Sequence, residues 1–400
     1  MRINDSRLAA AAKESLENYF HSSDREISEN HLHDAIEKYN LSGYEISSLE
    51  ALVIRSWGEM KSVISGVSIP HDAYLKMWAL SEPKLSRKYS HIILDEAQDT
   101  NPVTAGVVAN QRDISKLLIG DRHQSIYLFR GATNAMEEFA NSGATVLTMP
   151  KTWRFGPEIA DAANALLAFF KGEEIPIIGA GPAGQFGKKR SKALLSRTNA
   201  GLFTAAAALS GRGVHWVGGV ESYRLDQLMS SYHLKCGNRN MVTDPVIRMY
   251  PSWIAYCEDA EATKDAEARM LIKFNEEYQN HVPYLISQFR QHALPTQDDA
   301  KLVLATAHKA KGLDWDCVEI GEDFKSLGEI TKFRLENPML ELSPQMAQEV
   351  NLYYVAWTRA RREIKFNEDS SDFLKNFPEY VHHLSMEVMR QTSVADTPAY

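Results

Sequence analysis

Residues Ile92 to Thr100 read IILDEAQDT, and Leu118 to Ala132 read LIGDRHQSIYLFRGA. In each segment a short apolar run stops abruptly at acidic residues. That is the pattern of a buried parallel strand whose carboxyl end carries chemistry. Asp95 and Glu96 stand where the first strand ends, so Asp95 can hold Mg²⁺ while Glu96 polarises an attacking water in phosphoryl transfer. An isolated Asp-Glu pair is more often a solvated turn. Gln98 and Asp99 beside it, and the second strand-to-loop transition at Gly120, shift the reading toward function. Gln124 on that second loop is placed to report a γ-phosphate.

Composition allows this reading and narrows the alternatives. The chain has 400 residues, with 44% hydrophobic and 24% charged, enough for two or three soluble domains. With 44 basic against 52 acidic residues, the formal net charge is −8. Any nucleic-acid contact must therefore come from local basic grooves and aromatic platforms. Cys236, Cys257 and Cys317 have no CxxC spacing, which argues against a zinc site or disulfide framework and fits a reducing cytoplasm. No apolar run of about 18 residues is present, so no membrane span is expected.

Along the chain, residues 1–88 read as a helical subdomain, with Leu8, Ala11, Ala12, Leu16 and Phe20 at helical spacing. From His91 the pattern becomes short strands, and Val146 to Met149 reads as a third. Pro157 opens a helix with Ile159, Ala163, Leu166, Leu167 and Phe170 on one face. Strand character resumes at Ala193 to Ser196 and Val214 to Val217, yields to helical sequence over 221–298, and returns at Lys301 to Thr306. The expected organisation is an α/β chain. Residues 89–165 form a first domain, 166–220 with 299–372 form a second, 221–298 are a helical insertion, and 373–400 are a tail.

Other residues stand out by type and position. Trp153-Arg154 and Thr358-Arg359 place an arginine in each of two distant loops, where two cations can stabilise charge on a transferring phosphoryl group. Exposed arginines more often only solvate a surface. Tyr127, Phe129 and Arg130 can present rings and charge to unstacked bases, though alternating aromatics are commonly core. Thr306, His308 and Lys311 follow a strand and precede Gly312, a polar turn at a sheet edge suited to a nucleic-acid backbone. Residues Ile178 to Gly184, IGAGPAG, match Gly-x-Gly-x-x-Gly, but no amphipathic helix follows and no acid lies between Gly184 and Glu221 to hold a ribose. They are read as a flexible connection, not as a flavin or nicotinamide site.

Taken in order, DEAQD, GDRHQSIYLFRGA, TWRFG, LLSRTN, TAHKAKGLDWD and LYYVAWTRA resemble the UvrD/Rep-like superfamily-one DNA helicases over residues 74–364. HDAYLKMWALSEP, RFGPEIA and HKAKGLDWD are similar to the F-box DNA helicase subgroup, although no F-box is visible. The resemblance implies two RecA-like P-loop NTPase-type domains with helical insertions, clamping ATP and Mg²⁺ and moving along single-stranded DNA, typically 3′ to 5′. It implies Asp95 and Glu96 at the metal and nucleophilic water, and Gln124 as γ-phosphate sensor. Arg154 and Arg359 become arginine fingers, Trp153 the adenine-stacking aromatic, and Asp314, where the family has Glu, the ribose contact beside Gly312. Tyr127, Phe129, Arg130, Thr306 and His308 line the DNA path, with Phe129 in the place of a common Trp.

Such an enzyme holds the triphosphate in a Gly-x-x-x-x-Gly-Lys-Ser/Thr loop, and none lies between Met1 and Asp95. The expectation from sequence is an N-terminally incomplete first domain, inactive alone and exposing apolar surface, with the loop supplied by a missing segment or a separate polypeptide. The alternative expectation is a non-hydrolysing single-stranded-DNA-binding or regulatory relative.

Overall fold

The computed structural model describes residues 6–62, 64–126, 135–182, 191–262 and 265–395. Contacts divide the chain into two units, Met1–Leu147 and Thr148–Tyr400. Residues 148–165 therefore group with the second unit and not with 89–147.

The first unit opens with helices Ser6–His21, Glu29–Lys38, Tyr44–Lys61 and His71–Leu80. Ala11, Leu16, Tyr19 and Phe20 recur at helical spacing and meet Leu32, Leu49, Val53 and Trp57 in one core. Lys76 is the exception on the buried face. It is 1% exposed, and its ammonium donates to the carbonyls of Ser22 at 2.7 Å and Asp24 at 2.6 Å over the Tyr19 ring. Burial draws its pKa down to about 8.

Two parallel strands follow, β1 (His91–Leu94) and β2 (Ser115–Leu118), with Leu94 paired to Leu118. Between them Asn101 caps helix Pro102–Ala109 by accepting from the Thr104 amide at 2.9 Å, with Pro102 at the first helical position. Ile93 and Leu117 face each other in register and are 65% and 53% exposed. Val146 to Met149, expected as a third strand, is not one. Val146, Leu147 and Met149 find neither a ladder partner nor a core, and all three are exposed.

In the second unit the strands are β3 (Lys151–Thr152), β4 (Ile178–Gly179), β5 (Lys192–Ser196), β6 (Val214–Trp216), β7 (Ala293–Leu294), β8 (Leu302–Thr306), β9 (Trp315–Ile320) and β10 (Ala360–Lys365). β3 and β4 pair in parallel by themselves. The other six form one parallel sheet, in the order β10-β9-β5-β8-β6-β7. Nearly continuous apolar strands such as Leu302–Thr306 are what a sheet covered on both faces requires. The fold is thus α/β with a parallel sheet.

Residues 221–298 are mostly helical, and helices Ala266–Tyr278 and Val282–His292 bring Phe274 and Phe289 against Phe203 of helix Asn199–Ala208, with Phe289 also against Trp216 of β6. Helix Pro157–Lys171 buries the face anticipated from its spacing. Its Phe170 stacks on Phe373 at 5.2 Å, within helix Glu368–Ala395, so much of the stretch read as a tail is helical and partly packed.

Glu267 of helix Ala266–Tyr278 accepts from the Asn199 amide at 2.9 Å, at the start of helix Asn199–Ala208. Burial raises its pKa from 4.5 to about 7, outweighing the backbone donors that favour the carboxylate. Because the folded value is raised, this group favours the fold below pH 4.5 and loses that contribution as pH rises through 7. Glu267→Gln keeps the acceptor oxygen without the charge. It should gain stability over the wild type by up to about 3 kcal/mol above pH 7 and match it near pH 4. Thermal melts across that range test this, and parallel pH profiles would refute it.

Candidate functional site

The parallel pairing of β1 with β2 brings two strand-end loops side by side. The Ile119 amide donates to the Leu94 carbonyl at 2.9 Å, and the Ala97 amide to the Ile119 carbonyl at 3.0 Å, so pairing continues past the strands. Glu96 adopts a left-handed backbone, φ 51° and ψ 40°, an uncommon state for a residue with a side chain. Its amide donates to Asp95 Oδ1 at 2.9 Å, and both carboxylates are exposed.

Behind them Gln98 is fully buried. Its Nε2 donates to Glu96 Oε2 at 2.6 Å, and its Oε1 accepts from the Asp121 amide at 3.1 Å. Asp121 Oδ2 in turn accepts from Gln124 Nε2 at 3.0 Å, while its Oδ1 accepts from the His123 amide at 2.9 Å. The chain of contacts runs Glu96, Gln98, Asp121, Gln124, which ties the Glu96 carboxylate on one strand-end loop to the Gln124 amide on the other. Gly120 makes it possible, since a Cβ there would lie 2.3 Å from Gln98 Oε1. Sequence reading named the two ends and missed Asp121. Its signal was the Gly-Asp step that ends the second apolar run.

Tyr127, Phe129 and Arg130 lie outside the described residues. Among the described residues no group of three or more His, Cys, Asp or Glu is arranged to hold a metal ion.

In the second unit a different cluster forms. β3 delivers Trp153, 70% exposed, with Lys151 Nζ 4.3 Å from its ring centre. Arg154 Nε lies 3.6 Å from Asp314 Oδ2, and Arg361 pairs with the other oxygen of Asp314. Arg359, expected in an open loop, is 1% exposed. Its Nε donates to the Val355 carbonyl at 2.9 Å and Nη1 to the Leu313 carbonyl at 3.5 Å, closing helix Pro344–Trp357. Arg154 and Arg359 thus reach the same Leu313-Asp314 turn, one at the carboxylate and one at the backbone. Asp314 is shared by two guanidinium groups, which sequence reading did not anticipate because Arg361 follows Arg359 in an unremarkable basic run.

The glycine-rich stretch has a definite role here. Gly179 lies in β4, and the Gly181 amide donates to the Phe155 carbonyl at 2.8 Å. A Cβ on Gly181 would meet backbone atoms of Trp153, Arg154 and Phe155 at 2.4 to 2.7 Å. Far from a flexible connection, residues 178–181 are the seat of the TWRFG loop. Residues 183–190 lie outside the described residues.

Thr306 caps the short helix Ala307–Ala310 with Oγ1 accepting from the Lys309 amide at 3.3 Å, and Gly312 takes φ 80° to leave it. His308 is half-buried on that turn. Lys309 Nζ reaches Ser222 Oγ at 2.7 Å and sits 3.4 Å from the Tyr223 ring centre, and burial draws its pKa to about 8. Arg197, in LLSRTN, forms a two-pronged pair with Glu349 at 2.8 and 2.7 Å. Asp323 gathers the amides of Arg197 and Thr198 at 3.0 and 2.7 Å. These hold the strand end rigid.

Residues 11–142 match the UvrD/REP helicase N-terminal domain. The chain is UvrD-like and related to the F-box DNA helicases. It is 31% identical to F-box DNA helicase 1 of Gallus gallus over 403 residues, covering 94% of this chain and 39% of that protein. It is 28% identical to F-box DNA helicase protein 1 of Schizosaccharomyces pombe (strain 972 / ATCC 24843) over 383 residues, covering 88% of this chain and 42% of that protein. The chain spans about two fifths of the length of these relatives. No helix among the described residues is long and apolar enough to cross a membrane.

Both glycine seats are open to test. Gly120→Ala and Gly181→Ala should each lower stability by about 1–3 kcal/mol, because the added methyl meets a buried amide in one case and backbone in the other. Thermal or urea melts measure this. A neutral Gly181→Ala would mean that residues 178–181 do not seat the TWRFG loop.

Proposed function

We propose that this chain is the motor region of an ATP-dependent DNA helicase that moves along single-stranded DNA, 3′ to 5′, in DNA repair or recombination. The observation that carries the proposal is the continuous path from Glu96 through Gln98 and Asp121 to Gln124. It joins the group that activates water to the group that reads phosphate, as coupling of hydrolysis to movement requires. The family match to residues 11–142 spans that path.

In this reading Asp95, an exposed oxygen donor at a strand end, holds Mg²⁺ together with Glu96. This suits an ion that takes one or two carboxylates and completes its shell with nucleotide phosphates and water. Mg²⁺ bound there would neutralise charge on the phosphates. Glu96 accepts the proton of the attacking water, and Gln98 fixes the carboxylate's direction. Trp153 offers an open face for adenine, with Gly312 and Asp314 at the ribose. Arg154 and Arg359 supply positive charge to the γ-phosphate, so Arg154 exchanges its contact with Asp314 for the nucleotide. Tyr127, Phe129, Arg130, Thr306 and His308 contact the DNA strand. The two units are proposed to be RecA-like domains, with 1–88 and 221–298 as their helical insertions. The relatives lend no support to a separate polypeptide that carries a phosphate loop.

Once a Gly-x-x-x-x-Gly-Lys-Ser/Thr loop is supplied alongside these residues, the reading expects binding to single-stranded DNA that changes with Mg²⁺-ATP, and phosphate release stimulated by DNA. Glu96→Gln retains an oxygen for Gln98 and should lower turnover by about 100-fold or more while keeping DNA binding. DNA binding indifferent to nucleotide, with no turnover, would replace this proposal by that of a non-hydrolysing single-stranded-DNA-binding protein.

A further inference from the structure

The outer face of helix His71–Leu80 and the segment that follows it have no role in the site described above. Ala73 and Lys76 turn inward, Lys76 being held by the carbonyls of Ser22 and Asp24, and this fixes the rotation of the helix. The opposite face then presents His71, Tyr74 and Trp78 to solvent, with Tyr74 53% and Trp78 44% exposed. Residues three and four apart lie on one helical face, so the rings form a line. The His71 and Tyr74 rings already meet edge to face, with centroids 5.4 Å apart.

The chain then passes through Lys84, Arg87, Lys88 and Tyr89, all exposed, before entering β1. Gln111 pins this passage by accepting from the Leu85 amide at 2.9 Å and donating to the Pro83 carbonyl at 2.8 Å. At most about 20 Å of extended chain separates Trp78 from Lys84. Among the described residues, Lys84, Arg87 and Lys88 form no ion pair. The two acids of the segment are already met from outside it, Asp72 by His21 at 3.4 Å and Glu82 by Arg25. In a chain of net charge −8, this is a local surplus of positive charge beside exposed rings.

We infer that the face formed by Tyr74, Trp78, Lys84, Arg87, Lys88 and Tyr89 is a second contact for single-stranded nucleic acid, with bases on the rings and phosphates on the three cations. Every base offers a flat face, and a ring held by a rigid helix gives up little freedom on stacking, so such a platform binds without regard to sequence. The cations fit a polyanion, whereas an apolar protein partner would leave all three charges without a counterpart. The inference deepens the proposed function, since it adds a place for the strand on the first unit.

The test is fluorescence anisotropy of labelled oligo(dT) with the 400-residue chain over a series of salt concentrations. Trp78→Ala and Tyr74→Ala should each weaken binding by about five- to 100-fold. Trp78→Phe, which keeps a ring, should restore most of the loss. Lys84→Glu combined with Arg87→Glu and Lys88→Glu should make log affinity less steep in log salt by about 0.7 for each phosphate contact removed. Melting curves of every variant separate loss of contact from loss of fold. Unchanged binding in the Tyr74 and Trp78 variants, beside a loss in His308→Ala, would overturn this inference and leave the helicase reading standing. Absence of DNA binding by the wild-type chain would overturn both. Self-association lost in Trp78→Ala, with no DNA binding, would make the face a protein interface instead.

Discussion

The arrangement of the first unit's two strand-end loops depends on one buried amide. Gln98 has both ends of its side chain committed, the nitrogen to Glu96 and the oxygen to the backbone of Asp121. An uncompensated buried amide costs several kcal/mol at the upper end, so the two loops are held at a single separation. Moving either loop breaks a bond that water cannot replace. The left-handed backbone at Glu96 is the local cost of bringing that carboxylate over Gln98. Gly120 removes the one side chain that would stand in the way.

The second unit solves a related problem with charge. Asp314 stands between Arg154 and Arg361, and the turn that carries it is held from behind by Arg359. Arg359 is buried and hydrogen-bonded to carbonyls, so it is fixed, whereas Arg154 rests on a partly exposed carboxylate at 3.6 Å and can exchange partners at little cost. The two arginines that looked equivalent as loop cations differ in freedom. Glu349 shows the same contrast in the opposite direction. Burial alone would raise its pKa, but the paired guanidinium of Arg197 outweighs this and, with Lys325, holds it low.

What the sequence made legible was whatever depends on the order of residue types along one strand or helix. Apolar runs ending in Asp95 and at Gly120 located the strand ends, and the 3.6-residue spacing after Pro157 located a buried helical face. Contacts between distant segments were not legible. Arg359 reads as a loop cation until its helix curls its carbonyls toward it. Arg361 becomes relevant only because β10 lies beside β9 and carries it to Asp314. Val146 to Met149 has the composition of a strand, yet strand formation needs a neighbour to complete its hydrogen bonds, and among the described residues none pairs with it. The reading of Ile178 to Gly181 as flexible failed for a similar reason, because a glycine's purpose is set by what approaches it.

The net negative charge does not bar the proposed nucleic-acid contact, because a polyanion responds to the charge within about a Debye length of where it lies. Glu349, Glu319, Asp314 and Asp316 each face at least one arginine or lysine at 4 Å or less, so those carboxylates contribute little field at a distance. Lys84, Arg87 and Lys88 have no such partner among the described residues. Charges more than a Debye length away, about 8 Å at physiological salt, contribute little at this surface. A phosphate approaching residues 84–88 therefore meets the local positive charge first. The formal charge of the whole chain describes solubility and migration, and the distribution of unpaired cations determines where a polyanion can be held.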